Sequence, residues 1–226
     1  MEYEQNNQSY WIPLADLMTG LMMVFMLLTA AFMLRVEQTT TLVVKEYEVT
    51  KRDLQLALQK EFAKDLKQWN AEILGDMTIR FNDPSVLFAT GSSELRPRFR
   101  QVLEAFFPRY IALLTSDKYK DAVKEIRIEG HTSAFWGGAA NEEEAYFKNM
   151  ELSQARTRST LEFLMSLPKV ENNEKWLIQH VTANGLSSSH PLSQESSQAA
   201  NQRVEFRIVT NASEKMDLIA GKLAKK

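Results

Sequence analysis

The chain has no cysteine among its 226 residues. That excludes disulfides and thiolate metal sites, and the three histidines, His131, His180 and His190, are too scattered to make a metal-ligand spacing. An excess of basic charge is also lacking. The formal net charge is −2, and outside the terminal Lys222, Lys225 and Lys226 no basic stripe forms, so no nucleic-acid partner is expected. No nucleophile, base and orienting group fall into a set and no carboxylate pair stands out, so neither an enzyme nor a cofactor is expected. The first nine residues lack the basic n-region and small-residue cleavage site of a signal peptide. The apolar run behind them is longer than an h-region and reads as a retained anchor.

That run is the strongest feature present. From Leu14 to Leu34 the only ionisable side chain is Asp16, and at ~1.5 Å per residue the stretch gives roughly the ~30 Å of a bilayer's hydrocarbon core. Tyr10 and Trp11 suit the interface and Pro13 suits a first helical turn, so the helix is expected to begin there. A carboxylate inside a bilayer costs roughly 3 kcal/mol or more unless it protonates, finds a cation or faces a wet path. Helical spacing aligns Asp16, Thr19, Gly20, Met23 and Leu27 on one stripe, which presents a carboxylate, a hydroxyl and a bare backbone patch to a partner helix. Asp16 and Thr19 are the expected ion-conducting residues. Position alone leaves a second reading open, in which Asp16, close behind Pro13, serves the positive end of the helix at headgroup depth. Arg35, Lys45, Lys51 and Arg52 all follow the run and no Lys or Arg precedes it. The charge rule, taken alone, would keep the C-terminal side in the cytoplasm.

Residues 35–75 are polar and free of proline, and Leu54, Leu58, Phe62, Leu66, Trp69 and Ile73 recur at helical spacing. The β-branched start of this segment (Thr39, Thr40, Thr41, Val43, Val44) is ambiguous. Two readings are open: a paired helical stalk reaching on the order of 50 Å from the membrane, or an amphipathic helix folded against its own domain. From Asp76 the pattern changes. Met77, Ile79 and Phe81 alternate as in a strand, Asn82-Asp83-Pro84-Ser85 turns, and Val86-Leu87-Phe88 reads as a second short strand. Pro97 starts a helix carrying Phe99, Leu103, Phe106, Phe107, Tyr110 and Leu114, and a strand through Ile126 and Ile128 ends at Gly130-His131-Thr132. A second helix is expected from about Leu152 to Met165, then strands near Ile178–Ala183 and Val204–Val209. The fold class is α+β: two main helices on one sheet, domain 76–211, with 212–226 as a polar tail.

Two stretches carry a family resemblance. Trp11-Ile12, Ala15-Asp16-Leu17-Met18-Thr19, Leu21-Met22 and Phe25 resemble the transmembrane helix of MotB-type stator subunits, whose Ala-Asp-aromatic-Met-Thr motif contains the ion-carrying aspartate. With Leu17 after the aspartate, the form is similar to the B subunits of Zorya anti-phage systems, ZorB. Further on, Val86-Leu87-Phe88 with Gly91-Ser92-Ser93-Glu94-Leu95 and Pro97, Ile126 to Thr132, Asn149 to Arg156, Gly185 with Pro191, and Asn201-Gln202-Arg203-Val204-Glu205 resemble, in order, the OmpA-like peptidoglycan-binding domain.

The second resemblance implies a periplasmic βαβαββ sandwich that holds the peptide stem of peptidoglycan, especially its diaminopimelate residue. In that site Arg156 would take a carboxylate bidentately, Asn149 would offer amide hydrogen bonds and Leu152 an apolar wall, with Thr132, Ser133 and Arg203 completing it. Asn149, Leu152, Ser153 and Arg156 share a helix face. Two departures stand out. Gly130-His131-Thr132-Ser133 ends in serine where the family has aspartate, and Ser187 breaks the family's Gly-x-Gly after Gly185-Leu186. Between Ser133 and Asn149 the chain also carries Phe135-Trp136-Gly137-Gly138 and Glu142-Glu143-Glu144. Either a glutamate supplies the missing charge, or Trp136 packs under a surface loop and the acidic run is a solvated helix start.

Together the two resemblances imply a single-pass inner-membrane stator B subunit with tail 1–10 in the cytoplasm, span 11–34 and segment 35–75 as linker. A homodimer would sit inside a ring of MotA/ZorA-like subunits, five around two, driven by protons in preference to sodium and anchored to peptidoglycan. Phage defence and flagellar rotation both fit that class, and the Ala-Asp-Leu-Met-Thr form, the tail without basic residues and the altered Gly-His-Thr-Ser favour phage defence, with a flagellar stator as the alternative. A passive wall anchor with Asp16 incidental is the alternative of another class.

Overall fold

A computed structural model describes residues 5–192 and 200–211, with side chains except at 5–10 and 39–48. The expected tail 212–226 and the roles assigned to Tyr10, Thr39–Thr41, Val43 and Val44 lie outside what is described. Helix α1 runs Gln5–Phe62 and has Pro13 inside it, so it begins ahead of the proline and not at it. A proline removes one backbone hydrogen bond without ending a helix that nothing else stops, and residues 5–10 contain neither glycine nor proline. Within α1, Trp11–Gln38 is long and apolar enough to cross a membrane, and none of it is buried in the protein.

Val49–Ser213 is a compact unit of its own. Of the two readings open for 35–75, the part from Leu54 onward takes the second. Leu54, Leu58 and Phe62 are buried in the core of this unit, each contributing roughly 2 kcal/mol by burial. Arg109 fastens the end of α1: it meets the Glu61 carboxylate at 2.7 Å and Asp65 at 2.8 Å, and its guanidinium lies 4.9 Å from the centre of the Phe62 ring. The folded unit therefore starts before the expected 76. A short helix α2 (Leu66–Trp69) ends at Asn70, whose left-handed φ of 48° turns the chain into strand β1 (Ala71–Ile73). Ile73, expected on a helical stripe, is thus a strand residue.

Strand β2 (Ile79–Phe81) is followed by α3 (Pro84–Leu87), where a second strand was expected. Asp83 accepts from the Ser85 amide and Pro84 occupies the first turn, a cap-and-start signal that outweighs the short apolar run. Phe88 keeps a single bridge, to Leu95. Then come α4 (Pro97–Leu114), β3 (Val123–His131), α5 (Glu142–Met165), a 3-10 turn at Pro168–Asn173, α6 (Glu174–His180), β4 (Val181–Gly185) and β5 (Arg203–Thr210). Ile178 lies exposed on α6 and the fourth strand starts only at Val181, later than expected.

The sheet order is β1-β2-β5-β3-β4, with β3 and β4 parallel and the other pairs antiparallel. From β2 on, and apart from the short helices, this is the expected βαβαββ order, with β1 added at one edge. Ile126 and Ile128 of β3 and Val204, Phe206 and Ile208 of β5 are all buried in the core. Phe106 of α4 is the hub, its ring 5.1 Å from Phe206, 5.4 Å from Phe81 and 5.2 Å from Phe62, in tilted or edge-on packing.

Helix α5 sits on the other half of the sheet, and two glycines let it come close. Gly130 and Gly185 are register partners on β3 and β4. A Cβ at Gly130 would lie 2.6 Å from the Thr157 methyl and 3.0 Å from the Ser153 carbonyl oxygen. One at Gly185 would fall on the Gln154 backbone nitrogen and lie 2.7 Å from its Cα. The same junction is tied by polar bonds, since Gln154 donates to the Ala183 carbonyl at 3.1 Å and accepts from the Gly185 amide at 2.7 Å.

Candidate functional site

Helix α5 starts ten residues before the expected Leu152 because Asn141 caps it. The Asn141 side chain accepts from the Glu144 amide at 2.8 Å, and the Glu144 carboxylate accepts back from the Ala140 amide at 2.8 Å. Glu142, Glu143 and Glu144 form the acidic first turn, where the helix dipole favours them. None of the three lines the cleft described next, so the solvated-start reading of this run holds.

The N-terminal half of α5 forms one wall of a cleft of about 440 Å³. Asn149, Leu152 and Arg156 face it from the helix, Thr132, Ser133, Phe135, Trp136 and Gly137 from the segment after β3, Thr90 and Gly91 from the loop after α3, and Gln202 from the start of β5. Trp136 is half-buried at this lining and Phe135 is 71% exposed.

Arg156 is buried. Its Nε donates to the Ser92 carbonyl at 2.9 Å, its Nη2 donates to the Ala89 carbonyl at 3.1 Å, and the guanidinium stacks 4.9 Å from the Phe88 ring centre. Among the described residues no carboxylate pairs with it. Burial pulls it below the ordinary arginine value, to about 10, so it remains a cation at neutral pH. A guanidinium has five N–H donors, and two backbone carbonyls leave most of them for an incoming anion.

The remaining polar groups are neutral. Asn149 Nδ2 and Ser133 Oγ both donate to the Phe135 carbonyl, each at 3.3 Å, and Thr132 Oγ1 is buried with no hydrogen-bond partner. The Thr132 amide donates to the Ser187 carbonyl at 2.9 Å. Ser187 explains the broken glycine motif. At φ 51° it occupies the left-handed region, its amide donates to Ser153 Oγ at 3.1 Å, and its hydroxyl donates to the Tyr146 carbonyl at 2.8 Å, a bond glycine could not make.

Arg203 does not line the cleft. Strand alternation turns it to the opposite side of the sheet from Val204, where it donates to Glu205 at 2.6 Å, to the Asn201 carbonyl at 3.2 Å and to the His190 carbonyl at 3.0 Å. Its neighbour Gln202 takes the place at the cleft. The matched motif contains both residues, and only the strand's parity decides between them. Thr90 and Gln202 were not singled out in the sequence; the Gly91 turn and the Asn201-Gln202-Arg203 motif were the available signals.

The outer face of the sheet holds a buried polar cluster. The pairs His131–Arg203, Glu129–Glu205 and Arg127–Arg207 stand directly opposite one another across β3 and β5. Like charges so placed repel, and opposite charges offset them: Arg80, directly across on β2, and Arg203, two residues along β5, both bond Glu205, at 2.7 and 2.6 Å, and Arg207 approaches Glu129 diagonally at 3.9 Å. Ligand atoms of Glu129, His131 and Glu205 lie within 4.8 Å of one another. With Glu205 already holding two guanidinium groups, the surroundings suit arginines and repel a further cation.

This cluster makes stability depend on pH. His131 is buried, and that burial, with the nearby Arg203 charge, pulls its ring down to about 3. It stays neutral in the fold while an unfolded histidine near 6.5 protonates, so stability is full above 6.5 and falls as pH drops toward 3, by up to about 1.4 kcal/mol per pH unit. Burial raises Glu205, but bonds and charge from Arg203 and Arg80 outweigh it and the net shift is down, so its contribution is lost only below 4.5. Glu129, raised chiefly by burial, acts in the opposite sense just above 4.5. The melting temperature of His131→Gln should therefore fall less steeply than wild type between pH 6.5 and 5. Parallel curves would show that His131 is not held neutral.

Asp16 and Thr19 lie three residues apart on α1, both exposed. The Thr19 hydroxyl donates to the Ala15 carbonyl at 2.7 Å, which leaves its oxygen lone pairs as acceptors and takes its proton out of play.

Residues 87–205 match the OmpA family model. The whole chain is also similar to the Zorya protein ZorB of Escherichia coli, at 42% identity over 219 residues, covering 92% of this chain and 91% of that one. The chain belongs to the ZorB family. Among solved structures, a putative MotB-like protein from Desulfovibrio vulgaris shares the fold at a TM-score of 0.53 and 23% identity, over 75% of this chain and 99% of that one. The cell wall anchor of the T6SS from Pseudomonas aeruginosa aligns at a TM-score of 0.47 and 21% identity, over 68% and 96%. The ZorB relationship thus extends across both the apolar helix and the OmpA domain that carries the cleft.

Proposed function

We propose that this chain is the B subunit of an ion-driven stator in the inner membrane, anchored to peptidoglycan through the cleft and acting in Zorya-type phage defence. The observation that carries the reading is a single carboxylate, Asp16, in the otherwise charge-free Leu14–Leu34 stretch of the membrane helix of a ZorB-family chain. In this reading two copies pair within a ring of ZorA-like subunits, the N-terminus faces the cytoplasm and the cleft domain lies in the periplasm. Asp16, assisted by the Thr19 oxygen, takes up a proton where water is excluded and releases it where water returns, and each change alters which helix contacts are favourable.

In the cleft, Arg156 binds a stem-peptide carboxylate, Asn149 and Thr132 bond its amides, and Leu152 covers its apolar part. A direct test of the anchoring half is co-sedimentation of the full chain, in detergent, with purified sacculi. Wild type should pellet. Arg156→Ala should lose at least about 10-fold in affinity, the order of a charge-assisted bidentate contact. Equal retention of the two would remove the cleft from the anchoring role. Circular dichroism and melting of the variant separate lost binding from lost folding, since Arg156 also holds the 89–92 loop through Ala89 and Ser92.

A further inference from the structure

The charge of the cleft is unbalanced. Among the described residues Arg156 is the only ionisable side chain in its lining, and it is buried with carbonyl oxygens as its only hydrogen-bond partners. The nearest acidic run in sequence is committed elsewhere or solvated: Glu144 caps Ala140 and pairs with Lys148 at 2.9 Å, and Glu142 and Glu143 are exposed on the first turn of α5. What remains is neutral, and one neutral group, Thr132 Oγ1, is buried and without a partner.

Such a site suits one anionic group and no cation. A ligand carboxylate meets the free donors of Arg156. A free ammonium a few bonds away would lose hydration beside a guanidinium, with no carboxylate among the described lining residues to receive it, and both effects oppose binding. Acylating that amine removes the charge, keeps one N–H that an oxygen such as Thr132 Oγ1 can accept, and adds an apolar surface for the Trp136 and Leu152 side of the cleft.

We propose, resting on the peptidoglycan reading above, that the cleft selects a stem-peptide carboxylate whose neighbouring side-chain amine is acylated, as in a cross-linked stem, over the free-amine stem. The wall would then be gripped where strands are joined, which is where it bears load.

The test is calorimetric titration of the full chain in detergent with three probes: a stem tripeptide ending in a diamino acid with a free amine, its N-acetyl form, and a cross-linked stem dimer. Wild type should bind the N-acetyl form at least about 10-fold more tightly than the free amine, equivalent to ~1.4 kcal/mol. Ser133→Asp, which returns a carboxylate to the lining, should reverse that order. Equal affinity for acetylated and cross-linked stems would assign the preference to the lost charge, and a tighter dimer would assign it to the cross-link; either supports the proposal. A free-amine stem bound as well as the acetylated one, with Arg156→Ala weakening both, would overturn the proposal and leave the peptidoglycan reading standing. Binding of none of the three, together with no retention on sacculi, would overturn both. The wild-type ratio decides the matter even if Ser133→Asp does not fold, and Ser133→Ala should keep the wild-type order.

Discussion

Asp16→Asn should reduce ion flux to the level of empty liposomes when the chain is reconstituted with its ZorA-like membrane partner. The reason is chemical. Asparagine keeps the size and the hydrogen bonding of the side chain but has no proton to exchange, so the helix, its packing and the assembly should all survive. From Leu14 to Leu34 no other ionisable side chain exists to take over, and the nearest hydroxyl, Thr19, spends its proton on the Ala15 carbonyl. Asp16→Glu retains the exchangeable proton on a longer arm and should keep part of the flux. Undiminished flux in Asp16→Asn, with the complex intact by size-exclusion chromatography, would sink the motor reading and leave a passive wall anchor. The measurement also decides between the two roles the sequence left open for Asp16, since a carboxylate that only complements the positive end of a helix contributes about 0.3–1 kcal/mol of stability and no transport.

What the sequence made legible follows from how local each signal is. The α4 helix announces itself through Pro97 and an apolar stripe: it starts at Pro97 and runs to Leu114, the last residue of the stripe. Strands β3 and β5 are readable because Ile126 and Ile128 on one, and Val204, Phe206 and Ile208 on the other, alternate with polar residues. Three elements went otherwise because a capping residue or a turn defeated an apolar pattern: Asp83-Pro84 made a helical turn of Val86-Leu87, Asn141 drew α5 ten residues forward, and Asn70 broke a helical stripe before Ile73. The helix-forming residues Leu54, Leu58 and Phe62 were visible, but whether they faced a second copy or their own domain depended on Phe106 and Arg109, some 45 residues away. In the cleft, Asn149, Leu152 and Arg156 came from helical spacing plus resemblance, and Thr132 and Ser133 from the motif, while Gln202 lines it and Arg203 does not. The acidic run near the cleft could be a substitute charge or a solvated helix start, and its capping geometry decides for the second. The charge imbalance of the site is a property of what surrounds Arg156 in space, and no window of sequence contains it.

Gly185→Ala should be the most damaging single methyl in the folded unit, because its Cβ meets backbone where a side chain could have moved aside. The added carbon would fall on the Gln154 nitrogen, 2.7 Å from Gln154 Cα and 2.8 Å from Ser153 Oγ. The only relief is to lift α5 off β4, which strains the Gln154 bonds to Ala183 and Gly185 and the Ser187–Ser153 bond together. A cost of about 3 kcal/mol is expected from such overpacking, and a melting temperature lower by roughly 10 °C for a unit of this size. Gly75→Ala is the control: a Cβ there meets nothing within 4 Å and its φ is not in the left-handed region, so it should melt within about 1 °C of wild type or slightly above it. Gly130→Ala should fall between the two, since its nearest obstacle is the movable Thr157 methyl, though the Ser153 carbonyl lies close behind. The same displacement has a functional signature. Asn149, Leu152 and Arg156 ride on α5, so raising the helix draws the guanidinium away from the Ser92 and Ala89 carbonyls and opens the cleft. Sacculus retention should therefore weaken in Gly185→Ala even at temperatures where the protein is still folded. A variant that melts early yet binds fully would mean that α5 returns to its place and the methyl is absorbed by β4 alone.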